Sequence, residues 1–262
     1  MTQAPRFPAV DERLFLQSVS RALDVIEAYA DAPRPLSLTE IARAAGINKS
    51  AAQRIGQTLL ARGYLEQAAN GRLQPGRRLV DRGFDYLRSN ALIERATPIL
   101  IDLRKEAEER VDFSLFDAEH DNLSIIYMIR QQSKRETFYA TLAGRRQPTF
   151  ATSGGRACLA LLPDAEVDDI LARSDLRPLT PRTLTDPEAI RAKVVEARRD
   201  GHALAVEEAL PGEVALAAAV RDARGRPLGA VHIAGSLADW EPEAFRRRFA
   251  PLALQAASAL NG

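Results

Sequence analysis

The sequence predicts an α+β chain made of two units: a small helical one at the N-terminus, and a larger one in which an antiparallel sheet is covered by helices. Three observations carry this. Three short helical patterns crowd between residues 18 and 65 and end in a hairpin signal; β-rich segments begin only near residue 111; and helices interrupt those segments irregularly, with hairpins rather than strict βαβ alternation. A chain of 262 residues, 46% hydrophobic, has the length and the core material for two ordinary domains. The predicted boundaries are 16–76 for the first, 77–91 for a linker helix, and 92–262 for the second.

SVSRALDVIEAYA places Val19, Leu23, Ile26 and Tyr29 on one helical stripe, with Ser18 or Ser20 available as a cap. The turn DAPRP ends that helix, and SLTEIARAAG follows as a short one, with Ser37 or Thr39 placed to cap it and Gly46 to stop it. INKSAAQRIGQTLLARGYL is the third, with Asn48 as N-cap and Ala52, Ile55 and Leu59 on its buried side. The turn AGIN joins the last two in a helix-turn-helix pattern. YLEQ and RLQ alternate in polarity around Asn70-Gly71, a strong hairpin signal, and complete a β-wing. RRLVDRGFDYLRSN offers Leu79, Phe84 and Leu87 to a connecting helix. ALIERATPILIDLRKEAEER then repeats Ile93, Ala96, Leu100, Leu103 and Ala107 at helical spacing, with Pro98 placed to shift its start. VDFSLFDA, LSIIYMIR and ETFYATLA read as strands between polar turns, and RACLALL, DAEVDDILA and DPEAIRAKVVEARRDG as helices. EVALAAAV and PLGAVHIAG flank DARGR as a hairpin, and EPEAFRRRFAPLALQAASAL closes as an amphipathic helix.

Composition narrows the chemistry. The longest apolar stretches are too short and too rich in alanine to cross a bilayer, and the N-terminus lacks a basic start followed by an apolar block, so a cytoplasmic protein without membrane partners is expected. The single cysteine, Cys158, excludes an internal disulfide framework and a Cys-rich zinc site, and His120, His202 and His232 are too scattered for a metal motif. No cofactor is expected. TSGGRAC lacks the Gly-Lys-Ser/Thr ending of a P-loop. A cysteine-dependent enzyme is a remote alternative, because no local signature supplies Cys158 with a base; no catalytic residues are assigned.

Charge is distributed unevenly. Residues 34–88 hold 10 Lys/Arg against 4 Asp/Glu, or +6, while the rest of the chain holds 26 against 31. Either a solvated basic face or a nucleic-acid-binding module has this composition. The third helix favours the second reading, since Ser50, Gln53, Arg54 and Gln57 fall at i, i+3, i+4 and i+7, opposite its buried stripe. Arginine pairs bidentately with guanine and glutamine with the adenine edge in the major groove. Lys49 and Ser50 occupy the first turn, where backbone N–H groups favour a phosphate; Thr39 is a second phosphate candidate, and Arg72 in the wing is placed to reach the minor groove. Double-stranded DNA is therefore the expected partner.

SRALDVIEAYADAP, followed by LTEIARAAGINKSAAQRIGQTLLARGYLEQ and the hairpin at Asn70-Gly71, resembles the winged helix-turn-helix domain of IclR-type bacterial transcriptional regulators. GRRQPTFATSGGRACLALL resembles that family's glycine-containing loop and helix, and GHALAVEEALPGEVALAAAVRDARGRPLGAVHIAG its last strands; the likeness covers about residues 18–260. The resemblance implies a GAF-like effector domain enclosing a small organic molecule, commonly a carboxylate or aromatic acid, and self-association as a dimer or tetramer. One recognition helix reads a half-site, so a palindromic operator and a dimer belong together; the winged domain and its following helix are the expected dimer contact.

Carried over by position, the effector residues are Ser153, Gly154 and Gly155 in the glycine loop, His232 and Ala234 in the final strand, Ala205 and Ala215 before it, and Ala140 as a wall. Backbone N–H groups at Gly154 and Gly155, with a helix beginning near Arg156, would meet a carboxylate. His232 departs from the small or hydroxylated residue usual there: it is either a donor to an acid or phenol oxygen or a satisfied core histidine. Where many family members have acidic residues and a later Arg-Cys pair, this chain has Ala205, Val206, Val214 and Ala215. That predicts a more apolar pocket, and an aromatic or partly apolar acid rather than a small polar one such as glyoxylate. The expected function is a ligand-responsive transcriptional regulator; the alternative is a winged-helix DNA-binding protein without an effector.

Overall fold

The computed structural model describes residues 11, 13–30, 34–117, 121–132 and 143–262. Ala140, His120 and nearly all of the predicted ETFYATLA strand lie outside them. The chain divides between Ser89 and Asn90 into two units.

In the first unit, α1 (Gln17–Glu27) is followed by α2 (Leu38–Ala44), α3 (Lys49–Ala61), the hairpin β1 (Leu65–Gln67) and β2 (Leu73–Pro75), and α4 (Arg78–Ser89). Its core gathers Val25, Leu36, Ile41, Ala52, Leu59, Leu65 and Leu73. The predicted stripe on α1 holds at its C-terminal end, where Tyr29 is buried and Ile26 packs against the core beside Val25, and is corrected at Val19 and Leu23, which are each 52% exposed. Neither Ser18 nor Ser20 caps α1, whose N-cap is Leu16 without a side-chain bond.

Ser37 caps α2 in a reciprocal arrangement with Glu40: the Ser37 hydroxyl accepts from the Glu40 N–H, and the Glu40 carboxylate accepts from the Ser37 N–H at 2.8 Å. Those Ser37 contacts, with Arg34 adding, hold the Glu40 carboxyl at about 2. Asn48 caps α3 by accepting from the Ala51 N–H at 2.8 Å. At the wing tip Gly71 takes φ +76°, the left-handed conformation the turn needs, and donates its N–H to the Ala68 carbonyl. No residue of α4 is buried; Leu79 and Leu87 are half-buried and Phe84 is exposed.

The second unit opens with α5 (Ala91–Ala107), which Asn90 caps and which runs through Pro98 without restarting there. Its side chains Ile93, Ala96, Leu100, Leu103 and Ala107 are all buried. Among the described residues, six antiparallel strands follow: β3 (Arg110–Phe116), β4 (Ser124–Gln131), β5 (Arg146–Pro148), β6 (Ala203–Val206), β7 (Glu213–Arg221) and β8 (Pro227–Ser236), in the order β5-β4-β3-β8-β7-β6. α5 and α9 (Pro242–Leu260) pack on one side of the sheet. On the other lies α6 (Ser153–Leu159), backed by α8 (Pro187–Asp200), which α7 (Asp164–Arg173) joins. The short strands β5 and β6 were not foreseen, since RQP and ALAV carry little β-forming character. Among the described residues, no helix is long and apolar enough to cross a membrane.

Candidate DNA interface and candidate effector site

On α3, burial of Ala52, Gly56 and Leu59 turns the opposite face outward, and Lys49, Ser50, Gln53, Arg54 and Gln57 are all exposed there or in the first turn. Lys49 and Arg54 form no ion pair among the described residues, so both cations are available to an anionic partner. Thr39 is exposed in the first turn of α2. Arg72, in the wing, donates from its guanidinium to Glu40 of α2 at 2.7 Å and to the Pro35 carbonyl. A group held this way braces the hairpin against α2.

In the second unit, the sheet face beneath α6 carries two cross-strand rows. One runs Arg130, Asp112, His232, Ala217 and Ala203; the next runs Arg110, Ala234, Ala215 and Ala205. The predicted Ala205, Ala215, His232 and Ala234 therefore share a face, as period-two alternation requires. The register shift between Phe113 and Ser114 sets Tyr127 opposite Ser114, and the Tyr127 ring lies 5.1 Å from the His232 ring.

His232 is 1% exposed, and its Nε2 is 2.8 Å from the Ser114 hydroxyl. Burial, with Arg110 and Arg130 adding, lowers its pKa from 6.5 to about 3, so it is neutral at physiological pH. Because the folded value lies below the unfolded one, its contribution is intact above pH 6.5 and is lost as pH falls toward 3, at about 1.4 kcal/mol per pH unit. Urea unfolding at pH 7.5 and 5.5 should show a steeper acid loss for the wild type than for His232→Gln; equal losses would contradict this assignment.

The charged part of the face was missed by the sequence reading. Arg110 donates to Asp112 at 3.0 Å and to Glu213 at 2.6 Å, and Arg130 lies 3.5 Å from Asp112. Burial opposes the charge on Arg110, but Asp112 and Glu213 together outweigh it and raise its pKa; on Arg130 burial prevails and lowers it. The row of Ala234, Ala215 and Ala205 thus adjoins a buried ionic cluster that the apolar expectation did not include. The visible signal was Arg110, Asp112 and Ser114, alternating with apolar residues along β3.

The glycine loop is also corrected in detail. α6 starts at Ser153 rather than near Arg156, Thr152 is its N-cap, and the Gly155 N–H is taken by the Thr152 hydroxyl at 3.1 Å. A Cβ on Gly154 would lie 2.0 Å from His232 Cε1, so this glycine lets the helix rest directly on the imidazole. Cys158 is fully buried, donates to the Gly229 carbonyl at 3.3 Å, and has its thiol pKa pushed up by burial. It is a packing residue. Among the described residues, no group of three or more His, Cys, Asp or Glu could hold a metal.

Comparison with known proteins joins these two units. Residues 18–69 match the IclR helix-turn-helix domain, and residues 84–261 match the bacterial transcriptional regulator IclR C-terminal domain. The chain belongs to the IclR family. Its members in these comparisons are DNA-binding transcriptional regulators with a C-terminal effector domain, not enzymes. The Pca regulon regulatory protein of Pseudomonas putida is 29% identical over 250 residues, covering 94% of this chain and 83% of its own. A transcriptional regulator from Rhodococcus sp. RHA1 has a crystal structure that matches with TM-score 0.79 at 31% identity, over 94% of this chain and 97% of that one. An IclR homolog from Microbacterium hydrocarbonoxydans, crystallised with 4-hydroxybenzoate, shares the fold with TM-score 0.75 at 21% identity, over 93% and 97% of the two chains.

Proposed function

We propose that this IclR-family regulator reads a palindromic operator with α3 and responds to a small organic acid, aromatic or partly apolar, bound in its second unit. The observation that carries the DNA reading is the outward row of Ser50, Gln53, Arg54 and Gln57, with Lys49 in the first turn, opposite the buried Ala52, Gly56 and Leu59. Arg54→Ala is expected to weaken operator binding by about 1–3 kcal/mol and to relax sequence preference, and Lys49→Ala to weaken all sequences alike and reduce the salt slope by about 1. Fluorescence anisotropy at several salt concentrations measures both; unchanged affinity in Arg54→Ala would remove α3 as the reading element.

The effector reading is supported by the ionic cluster beside Ala205, Ala215 and Ala234, and by the 4-hydroxybenzoate held by the Microbacterium relative. Of the assigned residues, Ser153, Gly154, Ala205, Ala215, His232 and Ala234 remain in the proposed site, with Gly155 supporting it from the helix. The regulator acts in the cytoplasm, where its operator lies. It self-associates as a dimer or tetramer, and the exposed Leu14, Phe15, Leu16, Val80, Phe84 and Tyr86 of the first unit are the surface offered to a second copy. Effector binding biases the placement of the DNA-binding units, a coupling of about 1–3 kcal/mol.

A further inference from the structure

The ionic cluster is unevenly paired, and the imbalance falls on one residue. Arg110 uses Nε toward Asp112 Oδ2 and Nη2 toward Glu213 Oε2. Arg130 approaches Asp112 Oδ1 with its Nε at 3.5 Å, too poor a geometry for a hydrogen bond: among the described residues, both atoms are buried without a hydrogen-bond partner. The Arg130 side chain is 12% exposed and that of Asp112 1%. A guanidinium is a five-donor fork that matches a carboxylate in two parallel bonds, and burying one with its donors unmatched is unfavourable. It is retained here beside a row of small side chains.

We infer that Arg130 is the anchor for the effector's carboxylate and that the cluster selects acids with a single negative charge. This rests on the reading of the second unit as an acid sensor. The selection follows from charge balance. Two guanidinium groups face two carboxylates, and His232 is neutral, so the cluster carries no net charge. One incoming carboxylate is met by Arg130, whose Nε has no hydrogen-bond partner among the described residues. A second one would face Asp112 and Glu213 with no free cation, since Arg110 already serves both. Ala234, Ala215 and Ala205, neighbours across β8, β7 and β6, leave the adjoining strip to the uncharged body of the effector.

The test is titration calorimetry of the full chain with two matched pairs, benzoate against terephthalate and hexanoate against adipate, together with 4-hydroxybenzoate. At least one monoacid is expected to bind the wild type, with its diacid at least tenfold weaker. Arg130→Gln should weaken the monoacid at least tenfold without lowering the melting temperature, because Asp112 keeps Arg110. Glu213→Gln should narrow the gap between monoacid and diacid. Acid binding that survives unchanged in Arg130→Gln overturns the anchor and leaves acid sensing standing. A diacid binding as tightly as its monoacid overturns the charge selection. If no acid in the panel binds the wild type, acid sensing and the anchor fall together. Should Arg130→Gln not fold, the wild-type pairs and Glu213→Gln decide the selection, and Arg130→Lys, which keeps the charge but loses the fork, is expected to weaken the monoacid.

Discussion

Arg156→Ala is expected to destabilise the second unit by about 3–5 kcal/mol, the cost of breaking a buried ion pair from one side. Arg156 is wholly buried, donates from both Nη atoms to the two oxygens of Glu208 at 2.6 Å, and gives Nε to the Phe150 carbonyl at 2.8 Å. Glu208 also accepts from the Leu184 N–H at 3.2 Å, so the pair joins α6, the turn before it and the loop that follows β6. Alanine would leave the Glu208 carboxylate buried without its cation. Replacing both partners together, Arg156→Met with Glu208→Leu, should recover most of the loss, since the desolvation of both charges disappears with them. Urea denaturation of the three proteins gives the answer; a loss below about 1 kcal/mol in Arg156→Ala would show that the pair carries little of the stability.

Gly155→Ala is the second large effect, about 1–3 kcal/mol from overpacking. The added Cβ would lie 2.2 Å from the Thr149 carbonyl oxygen and 2.3 Å from Thr149 Cα, and backbone atoms cannot turn aside as a side chain can. Gly154→Ala strikes a different partner, His232, which can make room only by giving up its bond to Ser114. The two variants should therefore separate: Gly155→Ala loses melting temperature, while Gly154→Ala also alters the imidazole signals of His232 in NMR. A wild-type melting temperature in Gly155→Ala would contradict the close approach of α6 to the 3-10 turn at Thr149–Ala151.

The first unit was largely legible in the sequence because its signals are local. Asn48 and Gly71 act within a few residues of where they stand, and periodicity finds the buried side of α3 without knowledge of what covers it. The stripe on α1 misled because Val19 and Leu23 are apolar yet lie on a side that this unit leaves uncovered; periodicity reports a face but does not name its partner. In the second unit, Ala205, Ala215, His232 and Ala234 were carried over by position from the family resemblance, and the register of β6, β7 and β8 sets them on one face. Arg110, Arg130 and Glu213 escaped because each is an ordinary charged residue at a strand end, and only the pairing of β3 with β4 and β8, and of β8 with β7, brings them into one cluster. Arg156 escaped for the same reason, since its partner lies 52 residues away.

Cys158 is the chain's only cysteine, it is buried on α6 with its thiol against the Gly229 carbonyl, and its raised pKa keeps it as the unreactive thiol near neutrality. The native protein is thus a ready background for thiol-directed probes. A cysteine introduced on the outer face of α3 and another at the exposed end of α9 would take up fluorophores or spin labels without first removing a native thiol. Distances between the reading head and the sensing unit could then be followed, with and without an acid, in a protein whose core is unaltered.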